Sequence, residues 1–335
     1  MTIRRIRNGV LIALIGLAFS VTSAQDATPE VTPTMQMELP DRVPLVRAGL
    51  FPEGVEWDAL NNRFYVSSLQ DGTVYMVMDD GTHSAFINDE RIPVSLGLEA
   101  DEERNRLLVA ATDQQREGYL GVYDLTTGAD LLWVDFAPLL PDDPEHFIND
   151  VTVDGDGNAY VTDSFAGVIY RVDTAGNAEV FLEDETFSTD FALNGIVYHA
   201  PSDSLLAVRL PDVIQIPLAN PTDFARVQVD AQFIGADGLV LLDDQTLVVV
   251  TNNPAQVYRL ESGDDFASAR VTGMFDPGDM FPTTVAARDG EAYVLYAQLN
   301  AQQEPREEFP IVRAEFEDTG AMMDDAATPE ATPGT

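Results

Sequence analysis

The chain has 335 residues and carries 57 aspartate and glutamate residues against 18 basic residues, for a formal net charge of −39. So negative a chain argues against a nucleic-acid partner. Lysine is absent, which excludes Schiff-base chemistry and lysine general bases, and without cysteine there is neither a disulfide nor a lipoprotein anchor. The acidity suits a soluble surface or a cation-rich extracellular setting.

The amino-terminal segment has the features of a secretory signal peptide. Arg4, Arg5 and Arg7 precede an apolar run at residues 10–21, and small residues end at Ala24. The apolar run is shorter than the roughly 20 residues that a membrane-spanning helix needs. We therefore predict a signal peptide at 1–24 and a secreted or periplasmic protein without a transmembrane segment in its mature chain.

Two further segments have the composition of linkers. Residues 25–42 contain two Thr-Pro pairs, and residues 319–335 form an acidic tail with two more. The sequence between them, 43–318, is long enough for one domain of the barrel or propeller class.

Six segments of this domain share one pattern, in which a polar or small residue is followed by a β-rich run, a turn and a second β-rich run. They begin at Glu53, Leu96, Asn149, Asn194, Asp237 and Thr283, at intervals of 43 to 53 residues. Propeller blades repeat about every 40 to 50 residues, whereas a β-sandwich has no such period. The sequence predicts an all-β fold, a six-bladed β-propeller.

Each repeat contains enough β-rich segments for four antiparallel strands. Turns such as those at residues 60–63, 155–158 and 243–245 separate the first two, and a third and a more variable fourth follow. Extended segments at 43–46 and 310–316 come from opposite ends of the domain. We expect them to pair within one blade and close the ring, which removes a free sheet edge.

The first residues of the six repeats are expected to form a ring at one mouth of the central tunnel. Glu53, Asn149, Asn194 and Asp237 carry carboxylate or amide oxygens, which calcium prefers as ligands. Asparagine and aspartate are also common turn residues that bond to their own backbone, but glutamate has no such preference. The ring predicts one divalent cation, Ca²⁺ or another divalent metal.

The motifs Pro-Glu-Gly-Val-Glu-Trp-Asp at 52–58, Asn-Asp-Val at 149–151, Asn-Gly-Ile at 194–196 and Asp-Gly-Leu at 237–239 resemble those of one known family. Their order and separations are similar to the regucalcin/gluconolactonase family of calcium-dependent propellers, which includes luciferin-regenerating enzyme. There is a more distant likeness to paraoxonases and strictosidine synthase-like proteins. The resemblance covers residues 45 to 317.

The resemblance implies a role for each of these residues. Glu53, Asn194 and Asp237 would be direct metal ligands, and Asn149 would contact the substrate or complete the metal shell. Enzymes of the family open lactones or related esters, and a carboxylate beside the metal must then accept a proton from water. Asp237 is the first candidate for this general base and Asp150 the second.

One position departs from the family pattern. Gluconolactonase-type members commonly have an arginine two residues before the residue matching Asn149, where this chain has Phe147, preceded by His146. Phe147 would either favour a less polar substrate than a sugar lactone or pack against a loop. His146, the only histidine expected near the site, is a candidate for substrate contact.

The sequence thus leads to two hypotheses. One is an exported calcium-dependent hydrolase of lactones or related esters, acting on a small molecule. The other is a non-catalytic propeller, stabilised by its metal, that serves as an extracellular binding or scaffold module. Nothing in the sequence indicates the amine and aldehyde pocket of a strictosidine synthase-like condensation, and the oligomeric state is not indicated.

Overall fold

The structure is a computed structural model that describes residues 39–113, 116–140, 144–187 and 191–319. The predicted signal peptide, residues 25–38 of the predicted linker and residues 320–335 of the predicted tail lie outside this part of the chain. The described residues contain no apolar helix of membrane-spanning length.

The described chain forms six antiparallel sheets, the blades, in which strands follow one another from the innermost outward. The innermost strands are β2 (Val55–Asp58), β6 (Val94–Asp101), β10 (Ile148–Val153), β14 (Leu193–His199), β18 (Ala236–Asp243) and β22 (Pro282–Arg288). The second strands are β3 (Arg63–Val66), β7 (Arg106–Thr112), β11 (Ala159–Asp163), β15 (Ser204–Arg209), β19 (Thr246–Asn252) and β23 (Glu291–Tyr296). Each innermost strand contacts those of its two neighbouring blades, so the six form a closed ring.

The outer half of each blade has shorter or more variable strands. The third strands are β4 (Val74–Val77), β8 (Gly118–Asp124), β12 (Val168–Val172), β16 (Asp212–Pro217), β20 (Ala255–Glu261) and β24 (Ile311–Arg313). The outermost strands of the first five blades are β5 (His83–Ile87), β9 (Asp130–Asp135), β13 (Ala178–Glu183), β17 (Ala225–Arg226) and β21 (Arg270–Phe275). Short 3-10 turns connect some strands, at Glu102–Arg104, Ala137–Leu139, Glu185–Phe187, Ala200–Ser202, Pro221–Asp223 and Leu299–Ala301. The predicted six-bladed propeller is confirmed.

The ring closes through strands from both ends of the domain. Strand β1 (Arg42–Val43) pairs with β24 and becomes the outermost strand of the sixth blade, as predicted. The fifth blade differs from the predicted four strands, because β25 (Glu317–Asp318) pairs with the outer edge of β21. Both additions cover a sheet edge with chain from the carboxyl-terminal or amino-terminal end of the domain.

The hairpin turns that join the first two strands have the backbone conformation that their residues favour. Asn62, Asn105 and Asp203 have φ angles of 52°, 53° and 48°, in the left-handed region. Asparagine and aspartate tolerate this region because their short polar side chains bond locally. The turn signals in the sequence therefore correspond to tight hairpins.

The hydrophobic core is divided into layers between neighbouring blades. One layer packs Val55, Phe64 and Val66 of the first blade against Tyr293 and Leu295 of the sixth. Five comparable clusters lie between the other neighbouring pairs. Each blade is thus held by its two neighbours, and this holds the inner strands around the tunnel in a fixed arrangement.

Candidate functional site

The innermost strands of five blades are irregular at the residues that the sequence singles out. The pairing of β10 with β11 shifts between Ile148 and Val151, and that of β14 with β15 shifts between Leu193 and Ile196. Strands β6, β18 and β22 have corresponding shifts. A bulge of this kind breaks the ladder and re-aims side chains, often beside active sites.

Hydroxyl groups bond to the backbone at the starts of innermost strands, both in the regular first blade and in the bulged ones. Ser67 Oγ accepts the N–H groups of Glu53 and Gly54 at 3.2 and 2.7 Å. Thr162 Oγ1 accepts the N–H of Asp150 at 3.1 Å and donates to the carbonyl of Asn194 at 2.8 Å. These bonds help to fix the strand starts.

The structure brings the four predicted metal-binding residues to the same level of four blades, and all four are buried. Exposed fractions are 8% for Glu53, 2% for Asn149, 8% for Asn194 and 6% for Asp237. Asn252 donates to Asp237 Oδ2 at 3.0 Å, which fixes the carboxylate. We call these four residues the oxygen ring.

Asn149 has an amide oxygen with no hydrogen-bond partner in the described part of the chain. Its Nδ2 donates to Ser164 Oγ at 2.9 Å, which fixes the amide, while its Oδ1 is buried and has no hydrogen-bond partner within the described residues. Buried polar atoms are almost always paired, so an unpaired amide oxygen beside carboxylates fits a cation or a bound polar ligand.

The electrostatics of the oxygen ring also favour a cation. Burial raises the pKa of Glu53 well above its usual range, and the negative charges of Asp237 and Asp150 raise it further. Burial raises the pKa of Asp237 to about 7, although hydrogen bonds from Asn252 and Asn194 oppose the shift. A divalent cation would favour the ionised form of both carboxylates.

Below the oxygen ring, the tunnel carries three more carboxylates. Glu56, Glu99 and Asp150 line a cavity of about 40 Å³, which Glu53, Asn149 and Asn194 of the oxygen ring also line. Burial raises the pKa of Glu99 to about 8 and that of Asp150 to about 7. Asp150 Oδ1 accepts the N–H of Val151 at 2.9 Å, and Oδ2 accepts that of Ile196 at 3.1 Å.

Glu56 and Glu99 are tunnel residues that the sequence analysis did not predict. Each is the fourth residue of its repeat, in Glu-Gly-Val-Glu and Leu-Gly-Leu-Glu. The repetition of glutamate at this position in two neighbouring blades was the available signal. The alternation of side chains along a strand could not show whether these glutamates face the tunnel, because the bulges change which side chains do so.

The donor set limits which metals the oxygen ring can suit. Across the described residues, no group of three or more histidine, cysteine, aspartate and glutamate side chains is arranged to hold a metal ion. A cation here would depend on two carboxylates and two amide oxygens, without nitrogen or sulfur. Hard cations with flexible shells, calcium above all, take such ligands, whereas zinc prefers histidine and cysteine.

The other two predicted substrate residues lie beside Asn149, at different depths. His146 has no exposed surface, and its Nδ1 lies 2.6 Å from Asp163 Oδ2. Phe147 donates its backbone N–H to Asp163 Oδ1 at 3.0 Å, and its ring contacts Phe165 and Phe191 with centroids 5.3 and 5.4 Å away. Thus only Phe147 reaches the surface, and it packs against aromatic loop residues.

Comparisons with known proteins bear on the fold. No protein-family model matches the sequence, and a search of curated proteins found no match. The major allergen Mala s 1 of Malassezia sympodialis has a similar structure, with a TM-score of 0.71 and 17% identity over 83% of this chain and 97% of the allergen.

Two similar solved structures belong to the family that the sequence motifs resemble. A gluconolactonase from Xanthomonas campestris has a TM-score of 0.58 at 15% identity over 81% of this chain and 89% of its own. A luciferin-regenerating enzyme has a TM-score of 0.57 at 14% identity over 82% of this chain and 95% of its own. The protein therefore has the six-bladed propeller fold of the gluconolactonases and luciferin-regenerating enzyme, as its motifs predicted.

Proposed function

We propose that the protein is an exported, calcium-dependent hydrolase of lactones or related esters. The observation that carries the proposal is the oxygen ring, in which two buried carboxylates and two amides meet and Asn149 Oδ1 has no partner in the described part of the chain. Such a site binds a hard cation and leaves room in its shell for a substrate oxygen or water.

Each residue of the ring has a role in this proposal. Glu53, Asn194 and Asp237 would hold the cation, and Asn149 would complete the shell or contact the substrate carbonyl. When bound, the cation would supply Lewis-acid polarisation of a carbonyl oxygen. Four protein donors are fewer than the six to eight ligands that calcium takes, so substrate and water can enter the shell.

Asp237 is the residue that would move the proton. Its carboxylate accepts a proton from water as the water oxygen bonds to the carbonyl carbon. The ring C–O bond of the lactone then breaks, and the departing oxygen takes up the proton to give a hydroxy acid. A bound cation would keep Asp237 ionised, which is the form that can accept a proton.

Asp150 is the weaker candidate for the base. Each of its oxygens already accepts a backbone N–H, from Val151 and Ile196. These bonds hold the carboxylate in place and occupy an acceptor position on each of its oxygens. We expect Asp150 to contribute charge to the tunnel rather than to exchange a proton with the substrate.

Fold similarity to a gluconolactonase and a luciferin-regenerating enzyme supports the hydrolase proposal, but propellers host many functions. The alternative is a non-catalytic binding module stabilised by its cation. Phe147, in place of the arginine common in gluconolactonase-type members, favours this alternative or a change of substrate.

The test is hydrolysis of a panel of lactones and aryl esters by the purified protein. We expect activity that a chelator abolishes and calcium restores, and a loss in kcat of about 100-fold or more in Asp237→Asn. Asp243→Asn is the matched control, because Asp243 is an exposed residue of the same strand, and it should retain activity within about twofold. A protein that binds calcium and hydrolyses nothing on the panel would favour the binding module.

A further inference from the structure

Three phenylalanines form an aromatic cluster on the surface beside Asn149. The ring centroids of Phe147, Phe165 and Phe191 lie 5.0 to 5.4 Å apart, and each ring contacts the other two. The guanidinium group of Arg116 lies 4.5 Å from the centre of the Phe165 ring. We call the three phenylalanines the aromatic cluster.

Ser164 connects the aromatic cluster to the oxygen ring. Its hydroxyl accepts from Asn149 Nδ2 at 2.9 Å and donates to the carbonyl of Leu193, the residue before Asn194, at 2.6 Å. Its own carbonyl accepts the N–H of Phe191 at 3.2 Å. The cluster therefore borders the side of the ring that Asn149 and Asn194 form.

Buried polar groups hold two of the three phenylalanines in place. The Asp163 carboxylate has no exposed surface, and its Oδ1 accepts the backbone N–H groups of Phe147 and Phe165 at 3.0 and 3.2 Å. The other oxygen lies 2.6 Å from His146 Nδ1. The aromatic surface is thus built on a fixed, buried support.

Phe191 is the member that simple packing does not explain. The residue is 43% exposed, and its φ of 59° lies in a region that residues with large side chains rarely adopt. A large apolar ring that is both exposed and held in an unfavourable backbone conformation is typical of a contact surface for a ligand.

We propose that the aromatic cluster binds an apolar substituent of the substrate, so that the protein prefers lactones or esters with an alkyl or aryl group to sugar lactones. This inference rests on the proposed function. A chain attached to a carbonyl held at the oxygen ring would extend over the three rings and bury apolar surface. Hydroxyl groups of a sugar in the same place would lose water without gaining partners from the phenylalanine side chains.

The experiment compares δ-lactones that differ only in the ring substituent, with hydrogen, propyl or heptyl, alongside glucono-δ-lactone. Full burial of one methylene is worth about a fourfold gain in affinity. We expect kcat/KM to rise at least about 10-fold from the unsubstituted to the heptyl lactone, since the surface covers the chain only on one side. Glucono-δ-lactone should be the poorest substrate.

Variants locate the source of this preference. Phe191→Ala should lower the ratio of kcat/KM between the heptyl and unsubstituted lactones at least about threefold, whereas Phe191→Leu should retain most of it. Leu60→Ala is the control, because Leu60 is 60% exposed in the hairpin after β2, at the far end of that strand from Glu53. It should leave the ratio unchanged.

A wild-type preference for glucono-δ-lactone, or an equal ratio in wild type and Phe191→Ala, would overturn the inference. If no compound is hydrolysed, the proposed function fails, and binding of the heptyl δ-lactam by calorimetry decides about the cluster separately. Binding that Phe191→Ala weakens would support an apolar binding surface without catalysis. No binding to the wild-type protein would overturn it.

Discussion

Several carboxylates of the tunnel lie where their negative charge is disfavoured. Burial raises the pKa of Asp150 and Asp237 to about 7 and that of Glu99 to about 8. Because the unfolded chain has ordinary pKa values near 4, the folded protein binds these protons more tightly than the unfolded chain between about pH 4 and pH 8. Protonation of these groups therefore stabilises the folded protein, and this stabilisation is lost as the pH rises.

In the presence of chelator, the free energy of unfolding should fall as the pH rises from 5 to 8. Each carboxyl group that is protonated in the folded protein but ionised in the unfolded chain lowers the free energy of unfolding by about 1.4 kcal/mol per pH unit. Urea denaturation at several pH values measures the effect. Asp89, whose pKa the neighbouring Arg91 lowers to about 2, titrates below the window and does not obscure it.

Two variants separate the tunnel from the general acidity of the chain. Glu99→Gln should flatten the profile, because it removes one of the groups that titrate. Glu103→Gln should leave the profile as in wild type, because the Glu103 side chain is 82% exposed. Stability that is constant or increases from pH 5 to 8 would contradict the assignment of raised pKa values to the tunnel.

Among the elements, the inner strands were the most predictable, and their side-chain directions the least. The repeat starting at Glu53, Leu96 and Asn149 predicted the strands, and the asparagines and aspartates in the turns predicted the hairpins. The bulges could not be predicted, because the sequence of a strand does not show where its pairing register shifts. Strand β25 could not be predicted either, since two residues carry no periodicity.

The closure of the ring depends on one buried arginine as well as on strand β1. Arg288 of the sixth blade is 3% exposed, pairs through both terminal nitrogens with Asp79 of the first blade at 2.6 and 3.0 Å, and lies 3.9 Å from the centre of the Trp57 ring. Because Arg288 and Asp79 are far apart in the sequence, no local pattern could reveal their contact. It joins blades from the two ends of the domain.

Arg288→Ala should therefore lower the free energy of unfolding by about 2 to 3 kcal/mol, from the lost ion pair and cation–π contact. Arg171→Ala is the matched control, because the Arg171 and Glu179 side chains are 35% and 63% exposed and lie within one blade. It should lower the free energy by less than about 1 kcal/mol. Equal losses in the two variants, measured by urea denaturation, would show that Arg288 has no special role in closure.

At the scale of the whole molecule, the sequence predicts the fold, but it predicts the functional site only in part. A blade period and turn residues are enough to predict a propeller, because each blade needs two neighbours to bury its faces. The level at which Glu53, Asn149, Asn194 and Asp237 meet was also predictable from their shared register. The aromatic cluster was not, since Phe165 and Phe191 reach Phe147 only through the packing of loops.

The proposed function depends on the oxygen ring being a cation site. Calcium titration of chelator-treated protein at pH 8, with the binding heat measured by calorimetry, tests this most directly. We expect one ion per chain with a Kd below about 1 mM, and affinity at least about 10-fold weaker in Glu53→Gln and in Asp237→Asn, with Asp243→Asn unchanged. A wild-type protein that gives no binding heat at several millimolar calcium, or that binds calcium equally well after both substitutions, would contradict the account.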